Sequence, residues 1–242
     1  MASYSVSVAP MMDWTDKHCR YFYRLLSQYA QLYTEMITSR AILKGDKNRL
    51  LDYNAVEHPL VLQVGGSDPV EMAECAVIAK RWGYDAVNIN VGCPSERVMS
   101  GSFGACLMRE PDLVASCVES MIEACDIPVS VKSRIGIDEM ESYDELSDFV
   151  YRIHKKGCQH FIIHARKAWL QGLSPKQNRA IPPLNYPWVY QIKKDFPRLK
   201  ITINGGITST KEVLKHLKRV DGAMLGRAIY NQPFTLTEID SH

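Results

Sequence analysis

Hydrophobic positions along the chain follow two alternating rhythms. Short runs rich in Val, Ile and Leu fall at 6–12, 32–37, 60–66, 86–93, 128–136, 160–167, 200–206 and 222–229, each of strand length. Between them, apolar residues recur every three or four positions at 16–27, 69–82, 111–124, 142–156, 186–195 and 209–217, which predicts amphipathic helices. Start signals support two of these: Ser67 or Asp68 ahead of Pro69 offers a cap and a first-turn proline, and Ser142 with Glu145 three residues on reads as a capping box. Eight strand–helix units in 242 residues predict a single α/β domain around a parallel sheet.

Alternation alone fits both a closed barrel and an open doubly wound sheet, so the strand ends decide. Unusual residues gather there: Pro10, Met11 and Met12; Gln63; Asn90 with Cys93; Lys132 with Arg134; His164 with Arg166; Asn204, Gly205 and Gly206; Gly226 with Arg227. In a (β/α)8 TIM barrel these ends converge on one rim, where barrel enzymes place their chemistry, whereas an open sheet scatters them. No G-x-G-x-x-G follows the first strand, so a dinucleotide fold lacks its fingerprint. Two connections, 94–110 and 168–185, are long enough for binding loops. The first carries Gly101, Phe103 and Gly104, suited to a mobile flap; the second carries Trp169, Lys176, Arg179, Pro182 and Pro183.

Glycines after the seventh and eighth strands bring bare backbone N–H groups, and Arg227 a guanidinium, to the usual barrel phosphate site. A single Gly pair would be an ordinary turn; two such sites in consecutive units favour a phosphate-bearing ligand. Lys132 and His164 interrupt β-like runs, where an inward charge is costly without a partner. A reduced flavin, anionic near N1 and O2, would offset that cost at Lys132. For His164 a hydrogen-bonded core histidine is nearly as good a reading. Cys93 ends the fourth strand against Pro94 and presents a thiol to the rim. A thiol of ordinary acidity, with pKa near ~8.5, is mostly protonated at neutral pH and can donate a proton.

Net charge is only +2, but it is unevenly spread. Residues 152–219 hold fifteen Lys or Arg and two acids, leaving fourteen basic and twenty-five acidic side chains elsewhere, so one part is net +13 and the rest net −11. Any one of these lysines suits a solvated helix face; the block as a whole suits a polyanion. The seven cysteines have no zinc-knuckle spacing and read as reduced thiols, with no metal site expected. Apolar stretches are only strand-sized and no secretory leader pattern opens the chain, which predicts a soluble cytoplasmic protein without membrane contact.

The segments Ala9-Pro10-Met11 with Trp14-Thr15-Asp16, Leu62 to Gly66, Asn88 to Ser95, Val131 to Gly136, Ile163 to Arg166, Asn204-Gly205-Gly206 and Gly226-Arg227 together resemble the tRNA-dihydrouridine synthase family along essentially the whole chain. The stretches Lys167-Ala168-Trp169-Leu170, Gly172 to Lys176 and Asn178-Arg179 look like its DusA branch, which modifies D-loop uridines 20 and 20a. The resemblance implies an FMN barrel that reduces uridine to dihydrouridine with NADPH as electron donor. It implies FMN against Pro10, Met11 and Met12, with Gln63, Lys132 and His164 at its ring and Asn204, Gly205, Gly206, Gly226 and Arg227 at its phosphate. It further implies Cys93 as proton donor to C5, Asn90 at the flipped-out uridine, and Lys176 and Arg179 on tRNA. Members of the family continue into a C-terminal helical domain that grips tRNA; residues 1–242 correspond to the catalytic barrel, and the helical domain is expected to be missing. Two alternatives stay open: a free-pyrimidine flavoprotein similar to dihydroorotate dehydrogenase, which the +13 segment disfavours, and an RNA-binding remnant or tRNA-folding factor without turnover.

Overall fold

The computed structural model describes residues 6–241. Eight parallel strands, β1 (Val6–Val8), β2 (Leu32–Thr38), β3 (Leu60–Gly65), β4 (Ala86–Val91), β5 (Val129–Arg134), β6 (His160–His164), β7 (Lys200–Asn204) and β8 (Gly222–Leu225), pair in the order β1-β8-β7-β6-β5-β4-β3-β2. The remaining seam, between β1 and the start of β2, is stitched where Val8 N–H meets the Gln31 carbonyl and Gln31 N–H meets the Val6 carbonyl, both at 3.0 Å. The sheet therefore closes on itself as the (β/α)8 barrel that the strand ends predict.

Helices run outside it: α1 (Lys17–Leu26), α2 (Ser39–Lys44), α3 (Lys47–Leu50), α4 (Pro69–Arg81), α5 (Glu96–Ser100), α6 (Pro111–Ala124), α7 (Tyr143–Lys155), α8 (Tyr186–Asp195), α9 (Thr210–Leu217), α10 (Arg227–Asn231) and α11 (Thr235–Asp240). The start signals act as expected: the Asp68 carboxylate accepts the Val70 and Glu71 N–H groups, and Ser142 and Glu145 form a reciprocal capping box. Among the described residues no helix is long and apolar enough to cross a membrane.

The structure departs from the expected elements at their ends. β1 stops at Val8, and 10–12 turn back over the rim rather than extending the strand. β8 stops at Leu225: Gly226 caps the short helix α10, so the apolar residues Ala228 and Ile229 belong to a helical turn. Loop 94–110 contains α5 and a 3-10 turn (Gly104–Arg109) whose Ala105, Leu107 and Met108 are buried, so its second half packs as core rather than as a flap.

Strand registers place alternate side chains inward. Ala9, Tyr33, Val61, Ile162 and Met224, with Ala86 against them, plug the middle of the barrel with apolar surface. Nearer the C-terminal ends of the strands, the inward positions turn polar: Gln63, Asn88, Asn90, Lys132, His164 and Asn204. The apolar plug keeps this polar layer from opening through the barrel, so its spare hydrogen-bonding capacity faces the rim.

Candidate active site

Cys93 emerges where β4 ends and is held at both backbone ends. Its N–H donates to Asn90 Oδ1 at 3.0 Å and its carbonyl accepts from Ala105 N–H at 2.9 Å. The second bond needs Gly104, which has φ +77°, and a Cβ there would stand 2.7 Å from the Cys93 carbonyl oxygen. The thiol donates to Ser95 Oγ at 3.5 Å and is half-buried. Burial pushes the thiols of Cys75, Cys117 and Cys158 up to about 12, which keeps them protonated inside the protein.

Across the rim, β5, β6 and β7 bring basic groups together. Lys132 Nζ donates to Asn204 Oδ1 at 3.2 Å, and Asn204 Nδ2 donates to the Met224 carbonyl at 2.8 Å, which fixes the amide's orientation. Burial and then the Arg134 guanidinium push Lys132 down to about 8. Arg134 reaches the carbonyls of Gly92 (3.2 Å), Lys167 (3.2 Å) and Asn178 (2.8 Å), and burial above all lowers it to about 10. Burial, followed by Arg134, Lys132, Arg166 and Arg179, holds His164 well below the ordinary imidazole value, so it is neutral at pH 7. The four charges acting most strongly on that imidazole are cationic.

Gly205 and Gly206 adopt φ +112° and +70°. A Cβ on Gly205 would lie 2.5 Å from His164 Cδ2, and one on Gly206 2.6 Å from Leu184 Cδ1, so only glycine lets this backbone pass the histidine ring. Gly226 differs, because a Cβ there would make ordinary contacts at 3.7 Å with Ala9 and Met11. Arg227 lies exposed at the start of α10 and donates to the Arg179 carbonyl at 3.3 Å. Arg166 donates to the Pro182 carbonyl, while its Nε is buried without a partner among the described residues. An unpaired guanidinium N–H together with two further arginines and the glycine backbone after β7 offers donors and positive charge that fit a phosphate group.

The turn 10–12 is tied by Met11 N–H to Thr15 Oγ1 (2.9 Å) and by Thr15 N–H to the Met11 carbonyl (2.9 Å), leaving Met12 54% exposed over the rim. Loop 168–185 is anchored by the buried Asn178. Its Nδ2 donates to the carbonyls of Trp169 (2.8 Å) and Leu173 (3.0 Å), and its Oδ1 accepts Trp169 N–H (2.8 Å). Asp138 ties this loop to the one after β4, accepting Leu170 N–H at 2.8 Å and pairing with Arg109 at 2.7 Å. Lys176 is exposed at the start of the 3-10 turn Gln177–Arg179, whereas Arg179 lies close enough to Arg227, Cys93 and His164 to act on the inner cluster.

The structure thus brings Pro10, Met11, Met12, Gln63, Asn90, Cys93, Lys132, His164, Asn204, Gly205, Gly206, Gly226, Arg227 and Arg179 to one rim, with Lys176 further out on the surface loop. Arg134 and Arg166 take part without having been given a role from sequence. The two-residue alternation that puts Ser130, Lys132 and Arg134 on one face of β5 was the available signal. Asn178 offered none, since nothing marks one loop amide as an anchor. Among the described residues no cluster of His, Cys, Asp or Glu could hold a metal ion.

The family model described as Dihydrouridine synthase (Dus) matches residues 7–242. A tRNA-dihydrouridine(20/20a) synthase of Synechocystis sp. is 60% identical over 235 residues, 97% of this chain and 70% of that protein. Proteins of the same description from Shewanella oneidensis and Vibrio cholerae are 60% and 58% identical over 234 and 236 residues, each over 97% of this chain and over 70% and 72% of their own length.

Proposed function

The chain belongs to the dihydrouridine synthase family and is a tRNA-modifying enzyme, and from that premise we propose that it reduces D-loop uridines 20 and 20a with FMN and NADPH. The observation that carries the flavin reading is the rim itself, a cationic cluster with a glycine cradle and an unpaired Arg166 Nε. These residues fit FMN: Asn204, Gly205, Gly206, Gly226 and Arg227 would hold its phosphate, Gln63, Lys132 and His164 would address its ring, and Pro10, Met11 and Met12 would flank it. Bound and reduced by NADPH, the flavin supplies the hydride that adds to uracil C6.

The chain's own residues do the rest. A uridine stacked in folded RNA must be extruded to reach the rim, and the loop carrying Lys176 and Arg179 offers cationic contacts for the strand around it. Asn90 meets the extruded base at the Cys93 end of the site. Hydride addition at C6 leaves negative charge shared between C5 and the neighbouring carbonyl, and Cys93 donates its thiol proton to C5 from the opposite face, completing addition of two hydrogens across the C5–C6 bond. The protonated Lys132 ammonium stabilises negative charge on the ring beside it.

The test is the visible spectrum of the purified protein, identification of the chromophore released on denaturation, and dihydrouridine formation in a tRNA transcript with NADPH. Stoichiometric FMN with turnover on tRNA, and none on free uracil or dihydroorotate, is the expected result. A colourless protein that takes up no added FMN overturns the reading, and RNA binding without turnover would leave a non-catalytic tRNA-binding role.

A further inference from the structure

The second strand carries one residue more than its neighbour needs. Tyr33 pairs with Val61 and Met36 with Gln63, so three steps along β2 answer two along β3, and a bulge falls at Thr34 and Glu35. Thr34 closes it: its Oγ1 accepts Gln63 N–H at 3.0 Å and donates to the Glu35 carbonyl at 2.8 Å. Glu35 Oε1 in turn accepts the Asp13 N–H at 2.5 Å. A side chain of the barrel wall thus reaches the turn that carries Met11 and Met12.

Two conformations are open to that turn. The Met11 carbonyl accepts Trp14 N–H at 3.1 Å, which makes Met12 and Asp13 the central pair of a four-residue turn. Of the two, only Asp13 has positive φ, at +64°, the sign pattern of a type II turn, which favours glycine at that place. A type I turn keeps the same closing bond, suits an aspartate, and differs by turning the Met12–Asp13 peptide over. The other anchors do not choose between the two. Met11 and Thr15 bond to each other, and Arg20, braced by Glu57 at 2.6 Å, donates to the Thr15 carbonyl at 2.9 Å, so these bonds hold the ends of the turn. Among the described residues the bond to Glu35 is the only one made by the Met12–Asp13 peptide. Turned over, that rigid peptide would point its N–H away from the carboxylate.

We propose that Glu35 is a positioning residue for the flavin: by taking the Asp13 N–H it keeps the Met12–Asp13 peptide in the glycine-favouring orientation, and so fixes the backbone surface that Met11 and Met12 offer the ring. The inference rests on the proposed flavin reading, in which Pro10, Met11 and Met12 flank the ring. Only an acceptor is required at Glu35. Burial above all, with the Asp13 and Asp16 carboxylates, raises the Glu35 carboxyl from its ordinary value, so the neutral amide oxygen of a glutamine serves in its place.

The experiment titrates FMN into the flavin-free whole chain and follows fluorescence for Glu35→Ala, Glu35→Gln, Asp13→Gly and Glu35→Ala combined with Asp13→Gly. Glu35→Ala should weaken FMN binding by about ten-fold, the worth of one hydrogen bond, while Glu35→Gln stays within about two-fold of the wild type. Glycine adopts positive φ without strain, so Asp13→Gly should restore the Glu35→Ala protein to within about three-fold of the wild type. That rescue separates an effect on the turn from a loss of charge or of general stability. Unchanged or tighter binding in Glu35→Ala, equal loss in Glu35→Gln, or no recovery in the double variant overturns the proposal. If the wild type itself takes up no FMN, it is the functional reading that fails, and hydrogen exchange of the Asp13 amide then judges the turn. Protection at least about ten-fold lower in Glu35→Ala than in the wild type supports the proposal, and equal protection overturns it.

Discussion

Replacing Lys132 with methionine should make the flavin-free protein more stable and its grip on flavin weaker. Lys132 is pushed down from 10.5 to about 8, by burial first and by Arg134 second. At ~1.4 kcal/mol per pH unit this corresponds to ~3 kcal/mol against the charged form. The ammonium is only partly covered and donates to Asn204, so water at the rim reduces the figure toward ~2 kcal/mol. Because the folded state holds this proton less tightly than the unfolded chain, the cost is present in full below about pH 8 and fades as pH rises from about 8 toward 10.5. Urea unfolding followed by tryptophan fluorescence should therefore show Lys132→Met ahead of wild type by ~2 kcal/mol near neutral pH, with the advantage shrinking above about pH 8. Flavin affinity should run the other way: in the wild type it falls by up to about ten-fold per pH unit above about 8, while in the variant it is lower and flat. A methionine variant less stable than wild type at neutral pH, or an advantage that does not shrink with pH, refutes the reasoning.

Cys93→Ala should keep FMN and its reduction by NADPH while losing about 100- to 10,000-fold in uridine reduction, measured by single-turnover assay; unchanged turnover would remove Cys93 from proton donation. Gly205→Ala forces a Cβ to within 2.5 Å of His164 Cδ2 and should weaken flavin binding by ten-fold or more, whereas Gly226→Ala, with its nearest contacts at 3.7 Å, should change it by less than about three-fold in a fluorescence titration. Lys176→Ala should leave flavin binding untouched and lower the slope of RNA affinity against salt by about one. Arg179→Ala should lower both RNA and flavin affinity, because the Arg179 guanidinium also stands against the inner cluster.

The barrel was legible because its two hydrophobic periods are clean, and because chemistry-bearing residues sit where strands end. The errors lie at those same ends. Pro10, Met11 and Met12 continue an apolar run, as do Ala228 and Ile229, yet both segments must turn to clear the rim, and hydropathy does not record a turn that stays apolar. The helices between β2 and β3 were missed because α2 and α3 have six and four residues, too few for a helical period to stand out. Within the site, Lys132 and His164 were visible as ionisable residues inside strands. The hydrogen bonds that run from Asn90 to Gln63, from Gln63 to Asn88 and from Asn88 to Ser130 were not, since they depend on the register that sets Gln63 beside Asn88 and Asn88 beside Ser130.

The basic segment 152–219 shows why charge counted along a chain is only half an argument. On the outer helices three of its charges are answered: Arg152 pairs with Asp112 and Asp148, Lys156 with Glu119 and Lys193 with Asp221. These pairs are exposed or partly so, and each is worth little. At the rim, among the described residues, Lys167 alone of the segment's charges finds an acid, Glu141, while Arg166 and Arg179 are set against Arg134 and Arg227. Burial and mutual repulsion depress Arg134, Arg166 and Arg179 together, so the folded barrel holds a cationic cluster whose cost the protein's own residues do not offset. An anion in the rim removes that cost. The glycine backbone after β7 and the loop above it therefore draw on one electrostatic source: on the proposed reading, flavin binding should relieve the inner arginines, and RNA should bind a flavin-loaded rim through the outer Lys176 and whatever positive charge the flavin leaves uncompensated.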